Sequence, residues 1–337
     1  MVTLSEVARE AGVSPTAVSR HLNRSIVLPK ATADRIDEAV GRLGYRPNAL
    51  AKRLSKGKAE AICLATPEIS NPFFAELASA IESAAAERGY GVTLLSTRGR
   101  PAREIEAVNQ LADRYFDGLI MIAARPDDGT LGDLIGRRQG IVLLDEDVPA
   151  ARVPRIFVEN AIGARLATEH LIAMGHTDIA LIAGPMGLLS ANERVEGFKA
   201  TMAAHGLRVD EARMLHGEFT REFGHEAALA IARMSPRPTA ILACSDYLSV
   251  GVLGALHDLG LSVPDDISLV GFDDMPLAEL FDPPLTTIRQ PIAEMGRIAL
   301  ERLLASLDGV EVPAMTRLPV ELIVRKSVAD IRGNARR

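Results

Sequence analysis

The sequence predicts an all-α helix-turn-helix head joined to a two-lobed α/β body with parallel sheets. Three observations carry this expectation. Two short apolar-periodic segments near the N-terminus are separated by a glycine-containing turn. From Ala59 onward, apolar runs of strand length alternate with helical stretches. Charge is also divided unevenly: residues 1–58 hold eleven Lys and Arg against five Asp and Glu, or +6, leaving −12 on the remainder of a chain of net charge −6. A basic head on an acidic body points to a polyanionic partner for the head alone. A solvated helical face would give the same count, so charge is only the first indication.

In the head, Thr3-Leu4-Ser5-Glu6 has the form of a capping box, with the Thr3 hydroxyl and Glu6 carboxylate each serving the other's backbone N–H. Leu4, Val7, Ala8 and Ala11 follow at helical spacing, and Gly12 supplies the left-handed stop. Val13 packs inward in the turn. Ser14 is a suitable N-cap and Pro15 a suitable first residue for the second helix, whose buried stripe is Ala17, Val18 and Leu22. Its other face offers Pro15, Thr16, Ser19, Arg20 and Asn23. Such side chains suit a major-groove reader: Arg forks onto guanine, Thr meets a base edge or a thymine methyl, and Ser and Asn anchor phosphates. A third helix is expected over 32–43, with Ile36, Ala39, Val40 and Leu43 inward and Gly44 at its end. Asn48 can then cap a two-turn segment closed by Gly57. That segment is shorter than the ~12–15 residues an isolated helix needs, and a plain basic linker is the alternative reading.

In the body, strands are expected at 61–65, 91–95, 118–122, 140–144, 156–158, 179–183, 240–243 and 267–270. Helices are expected at 74–88, 161–174, 194–205, 223–234, 248–259 and 292–307. Alternation of this kind argues for parallel sheets covered on both faces. The strand number is about twice what one open sheet needs, hence two lobes. Ligands of such folds bind beyond the carboxyl ends of the strands, so two facing lobes share a cleft.

Enzyme signals are missing from the sequence. No GxGxxG follows the first strand, no GxxxxGK[ST] occurs, and the 182–187 turn has the wrong spacing for a dinucleotide fingerprint. No nucleophile elbow is present. His170 and His176 flank Met174-Gly175 without an HExxH or a carboxylate cluster, which suits a turn better than a metal. No catalytic residue, cofactor or metal is therefore expected. Cys63 and Cys244 stand 181 positions apart, with no CxxC, which fits a reducing compartment. No apolar run reaches the ~18 residues of a membrane span, and the first residues lack a secretory pattern. A cytoplasmic protein with no membrane partner is expected.

Val2-Thr3-Leu4, Val7-Ala8, Ala11-Gly12-Val13-Ser14, Val18-Ser19-Arg20, Leu22-Asn23, Gly44-Tyr45-Arg46-Pro47-Asn48 and 51–54 together resemble the DNA-binding head of the lactose-repressor (LacI/GalR) family. His21 and the 24–29 loop depart from its usual pattern, which leaves base preference at the outer operator positions open. The resemblance implies a dimer on a palindromic operator in double-stranded DNA. Its DNA-contacting positions are Thr3, Ser14, Pro15, Thr16, Ser19, Arg20, Asn23 and Tyr45. A hinge helix adds Asn48, Ala51, Arg53 and Leu54, with Leu54 wedging into the minor groove. The body resembles the family's sensor, similar to periplasmic sugar-binding proteins, through Asn71-Pro72-Phe73-Phe74, Ala183-Gly184-Pro185, Gly271-Phe272-Asp273-Asp274 and the run 284–291.

That resemblance places Arg194 and Asp273 in the cleft as the pair gripping a small-molecule effector. Phe73, Phe74 and Phe219 are wall residues, and Asp145, Ser190, Asn192, Ser245 and Gln290 are rim candidates. Asp246 is read as the N-cap of the helix that follows it. Leu188 and Leu189 stand in a loop where purine-type sensors carry an arginine. The expected effector is thus a monosaccharide or related polyol, with a purine or other small metabolite as the alternative. The division expected is a head at 1–47, a hinge helix at 48–58, a two-lobed effector and dimerisation domain at 59–330, and a tail at 331–337. Lobe crossovers are expected near 157–160, 262–289 and 317–323. A leucine heptad is missing after Ile323, which favours a homodimer over a tetramer. A sugar-binding protein without DNA activity and a sugar-metabolising enzyme are the competing readings.

Overall fold

The computed structural model describes residues 2–23, 25–45 and 58–333. The expected hinge positions Asn48, Ala51, Arg53 and Leu54 lie outside the described residues. Two compact units are resolved, dividing between Ala59 and Glu60.

The head is built from α1 (Leu4–Ala11), α2 (Pro15–Leu22) and α3 (Lys30–Leu43). Its capping box forms as read: the Thr3 hydroxyl accepts from Glu6 N–H at 3.3 Å, and Glu6 accepts from Thr3 N–H at 2.7 Å. Gly12 closes α1 at φ +65°, a backbone few other residues adopt without cost. The Ser14 hydroxyl caps α2 through Ala17 N–H at 3.2 Å. Val7, Ala8, Ala11, Val18, Ile36 and Ala39 form the buried centre, closed over by Leu22, Leu28, Val40, Leu43 and Tyr45. The third helix begins at Lys30, two residues before the expected start. The Pro29 carbonyl, with no side-chain cap, takes the N–H groups of Thr32 and Ala33.

The body contains two parallel sheets. The first orders β11 (Met315–Leu318), β5 (Arg155–Val158), β4 (Ile141–Leu144), β3 (Gly118–Met121), β1 (Ala61–Thr66) and β2 (Gly91–Ser96) side by side. The second orders β7 (Met214–His216), β6 (Ile179–Ala183), β8 (Ala240–Ala243) and β9 (Ser268–Val270). Each sheet begins one strand in from an edge, adds that edge strand next and then grows to the other side. That leaves a crevice beyond the carboxyl ends of β1 and β3 in one lobe and of β6 and β8 in the other. The six residues of β1 are buried without alternation, as a strand covered on both faces requires.

Helices α4 (Pro72–Glu87), α5 (Pro101–Ala112), α6 (Thr130–Gly136) and α11 (Ile292–Leu307) serve the first lobe. Helices α7 (Asn160–Ala173), α8 (Leu189–Ala204), α9 (Arg221–Ala232) and α10 (Asp246–Asp258) serve the second. The chain changes lobe between β5 and α7, between β10 (Thr287–Arg289) and α11, and between β11 and β12 (Glu321–Ile323). The antiparallel pair β10–β12 lies beside these passages.

α9 and α10 cross in close contact at Gly251, where a Cβ would meet the Arg221 carbonyl oxygen at 2.0 Å. Gly251→Ala is expected to cost about 1–3 kcal/mol by overpacking, measurable as a lower denaturant midpoint with an unchanged slope. His170 and His176 serve the fold. His176 sits between the Thr239 hydroxyl at 2.9 Å and the Ala329 carbonyl at 3.1 Å, and burial lowers its pKa. Among the described residues no helix is long and apolar enough to cross a membrane.

Candidate functional site

In the head, Thr3, Ser14, Pro15, Thr16, Arg20 and Asn23 are exposed, and Ser19 is half-buried at the side of α2. Pro15, Thr16, Ser19 and Arg20 belong to one helix whose inner residue, Val18, is fully buried, so the core fixes which way they face. Tyr45 is half-buried against the head core, which limits what it can present to DNA. His21 turns towards α3, where its Nε2 meets Asp37 Oδ1 at 2.9 Å.

In the body, a cleft of about 450 Å³ opens between the lobes where the strands end. The turns after β1, β3 and β4 supply Phe73, Phe74, Ile122, Asp145 and Glu146. The turns after β6, β7, β8 and β9 supply Leu188, Phe219, Ser245 and Asp273, the first turns of α8 supply Ser190 and Arg194, and Gln290 joins from a crossover. Nine of the ten effector positions read from sequence therefore line one cleft. Asn192 does not: it is exposed, and its Oδ1 accepts from Gly187 N–H at 3.1 Å, bracing the 185–188 turn. Its place three residues into α8 carries it to the far side of the helix from the cleft.

Arg194 is the centre of the cleft. Its Nε donates to Asn160 Oδ1 at 2.9 Å and its Nη1 to the Cys244 carbonyl at 2.5 Å. The guanidinium lies 3.7 Å from the centre of the Phe272 ring and 3.8 Å from Asp273 Oδ1. Arg194 is thus held in place by the protein's own groups. Asp273 accepts from Gln290 Nε2 at 2.7 Å. Burial pushes the Asp273 carboxyl up to about 7, with Arg194 and Gln290 opposing. Burial also raises Asp145, again opposed by Arg194. Asp145 and Asp273 hold φ values of +66° and +119°, conformations that cost of order 1–3 kcal/mol each and cluster at functional sites. Asp145 Oδ1 and Gln290 Oε1 are buried and make no hydrogen bond among the described residues. Phe73 and Phe74 meet edge to face at 5.3 Å, held at the start of α4 by Asn71, whose Oδ1 caps Phe73 N–H at 3.1 Å.

The reading of Asp246 as an N-cap is corrected, while Ser245 lines the cleft and also holds the cap position. Ser245 is the N-cap of α10, accepting from Tyr247 N–H at 3.0 Å. Asp246 is the first helical residue, fully buried, and accepts from the Thr287 hydroxyl at 2.6 Å and Met275 N–H at 2.9 Å. Sequence reasoning also missed Glu146 and Asn160. Their signal was adjacency: Glu146 follows Asp145 at a strand end, and Asn160 opens the helix after a crossover.

Residues 3–48 match the model of bacterial regulatory proteins of the lacI family, and residues 168–328 match a periplasmic binding protein-like domain. The HTH-type transcriptional repressor PurR of Vibrio parahaemolyticus is 33% identical over 331 residues, covering 97% of this chain and 99% of that protein. The chain belongs to the LacI family. The lac repressor dimer bound to operator and the anti-inducer ONPF superposes with a TM-score of 0.87 at 30% identity, covering 97% of this chain and 99% of that one. The CelR–cellobiose complex superposes at 0.73, also at 30% identity, covering 97% and 100%. This LacI-family chain is accordingly a DNA-binding repressor, and the relatives named here are transcriptional regulators.

Proposed function

We propose that this repressor binds a palindromic operator as a homodimer and that a monosaccharide or related polyol in the inter-lobe cleft sets its operator affinity. One observation carries the choice of effector. Buried acceptors at Asp145 Oδ1 and Gln290 Oε1 stand without donors beside an already engaged Arg194. A buried acceptor left unmade is costly, and vicinal hydroxyls supply donors at that density. Asp273 accepts from the ligand, Arg194 donates to it, and Phe73, Phe74 and Phe219 cover the C–H face of a ring. Leu188, buried and lining the cleft, is an apolar wall and gives no donor to a base edge. A purine effector is the second reading, because the Vibrio parahaemolyticus relative is named PurR. Calorimetry of the full chain against hexoses, pentoses, hypoxanthine and guanine decides between them. Heat from a sugar alone is expected, and binding of a purine alone would overturn the sugar.

Division of the chain at 1–47, 48–58, 59–330 and 331–337 assigns DNA reading to the first two segments. In this reading Thr3, Ser14, Pro15, Thr16, Ser19, Arg20, Asn23, Tyr45 and the hinge positions meet DNA. Exposed apolar surface on edge strand β2, such as Leu94 at 44% exposure, supports a second copy of the chain as partner. Ligand closure biases operator affinity only as far as the ligand prefers one lobe arrangement over the other. Arg20→Ala is expected to weaken operator binding by about 1–3 kcal/mol without altering effector affinity, measured by fluorescence anisotropy and calorimetry on the same preparation.

A further inference from the structure

The N-terminus of α8 has an unusual cap. Its own N-cap residue, Leu188, has no side-chain oxygen to offer, and the first turn of any helix carries N–H groups with no partner inside the helix. The missing acceptor comes from the other lobe. Glu146, just beyond β4, takes the Ser190 N–H on Oε2 at 3.3 Å and the Ser190 hydroxyl on Oε1. Both residues are at most 3% exposed. α8 also carries Arg194, so the contact joins the first lobe to the helix that holds the cleft's central cation.

We propose that Glu146 is a closure latch: its carboxyl caps α8 across the cleft when the lobes meet, and so ties the position of Arg194 to lobe closure. Both partners of this contact belong to the chain itself, so it stands apart from the choice of ligand. Opening the lobes returns Glu146 to water and leaves the first turn of α8 bare.

A proton follows the latch. In the closed cleft burial pushes Glu146 up to about 8, and Asp145 pushes it the same way, while the two Ser190 bonds and Arg194 oppose. Asp273 faces the same cluster, with Asp145 raising and Arg194 lowering its own pKa. Asp147, next in sequence, is occupied by Arg155 at 2.7 Å. A carboxyl whose pKa is raised in one state favours that state at low pH and withdraws the preference as pH climbs through the raised value. Closure is therefore favoured most strongly below the ordinary glutamate range, and the preference is lost as pH rises from there to about 8.

The chain contains no tryptophan, so one introduced indole reports on the cleft. Met186 is 72% exposed on the turn whose Gly187 approaches Pro126 of the first lobe. The experiment follows the emission of full-length Met186→Trp protein from pH 6 to 9 without effector, with circular dichroism confirming the fold at each pH. With Glu146 in place, closed-cleft emission is expected to be lost as pH rises towards 8. In Glu146→Gln, which keeps a cap oxygen and cannot ionise, closed-cleft emission is expected to persist through pH 9. In Glu146→Ala the open-cleft emission is expected throughout. Identical profiles in all three proteins would overturn the latch, as would a Gln variant that loses closed-cleft emission over the same pH range as the wild type.

Discussion

Replacing Arg194 by alanine is expected to abolish effector binding and to destabilise the body by about 3–5 kcal/mol, the cost of removing one partner from a buried charged cluster. The magnitude follows from what the guanidinium holds. It satisfies Asn160 Oδ1 and the Cys244 carbonyl, lies against the Phe272 ring, and is the cation nearest Asp273. Without it, Asp145, Glu146 and Asp273 lose the positive charge that opposes their burial. Denaturant unfolding of full-length protein, monitored on the body, measures the stability loss, and calorimetry with the sugar bound by the wild type measures the binding loss. An alanine variant of wild-type stability would mean that the guanidinium is solvated rather than structural.

Asp273→Asn is expected to lower effector affinity by roughly 10- to 100-fold, from the loss of hydrogen bonds to a charged acceptor at about 1.5–3 kcal/mol. Operator affinity is expected to stay unchanged. Asparagine is chosen because Asp273 holds φ +119°, and asparagine tolerates positive φ better than most residues. The substitution therefore tests the charge with little added backbone strain. Asp273→Ala, which changes charge and backbone preference together, is expected to remove the effector response entirely with operator binding intact. Loss of operator binding in either variant would contradict the division into a reading head and a sensing body.

The head was legible in the sequence because its signals are local. A capping box at Thr3 and Glu6, a left-handed Gly12 and the Ser14-Pro15 start each act within a few residues, and each forms as read. Lobe alternation was legible for the same reason: buried parallel strands such as Ile179–Ala183 are continuous apolar runs. Other strands gave no such run. Thr287–Arg289 and Glu321–Ile323 are three-residue segments that pair with each other across the chain. The helix at Leu189–Ala204 starts five residues before its expected start at Arg194 because its cap comes from Glu146, 44 positions away. The resemblance offered Asn192 as a rim candidate, yet a two-residue step from Arg194 on one helix turns a side chain to another face. The resemblance carried Arg194 and Asp273, and the residues that fix Arg194 in place, Asn160 and the Cys244 carbonyl, were visible only in the folded chain.

The most direct test of a cleft-controlled repressor is operator binding by the full chain with and without the sugar identified by calorimetry. DNA from upstream of the protein's own gene serves as the probe, across a range of salt. Salt-sensitive binding to a palindromic site is expected, with an affinity that the sugar changes at least tenfold in the wild type and leaves unchanged in Asp273→Ala. Binding to no palindrome at any salt, or a sugar effect that survives in Asp273→Ala, would contradict it.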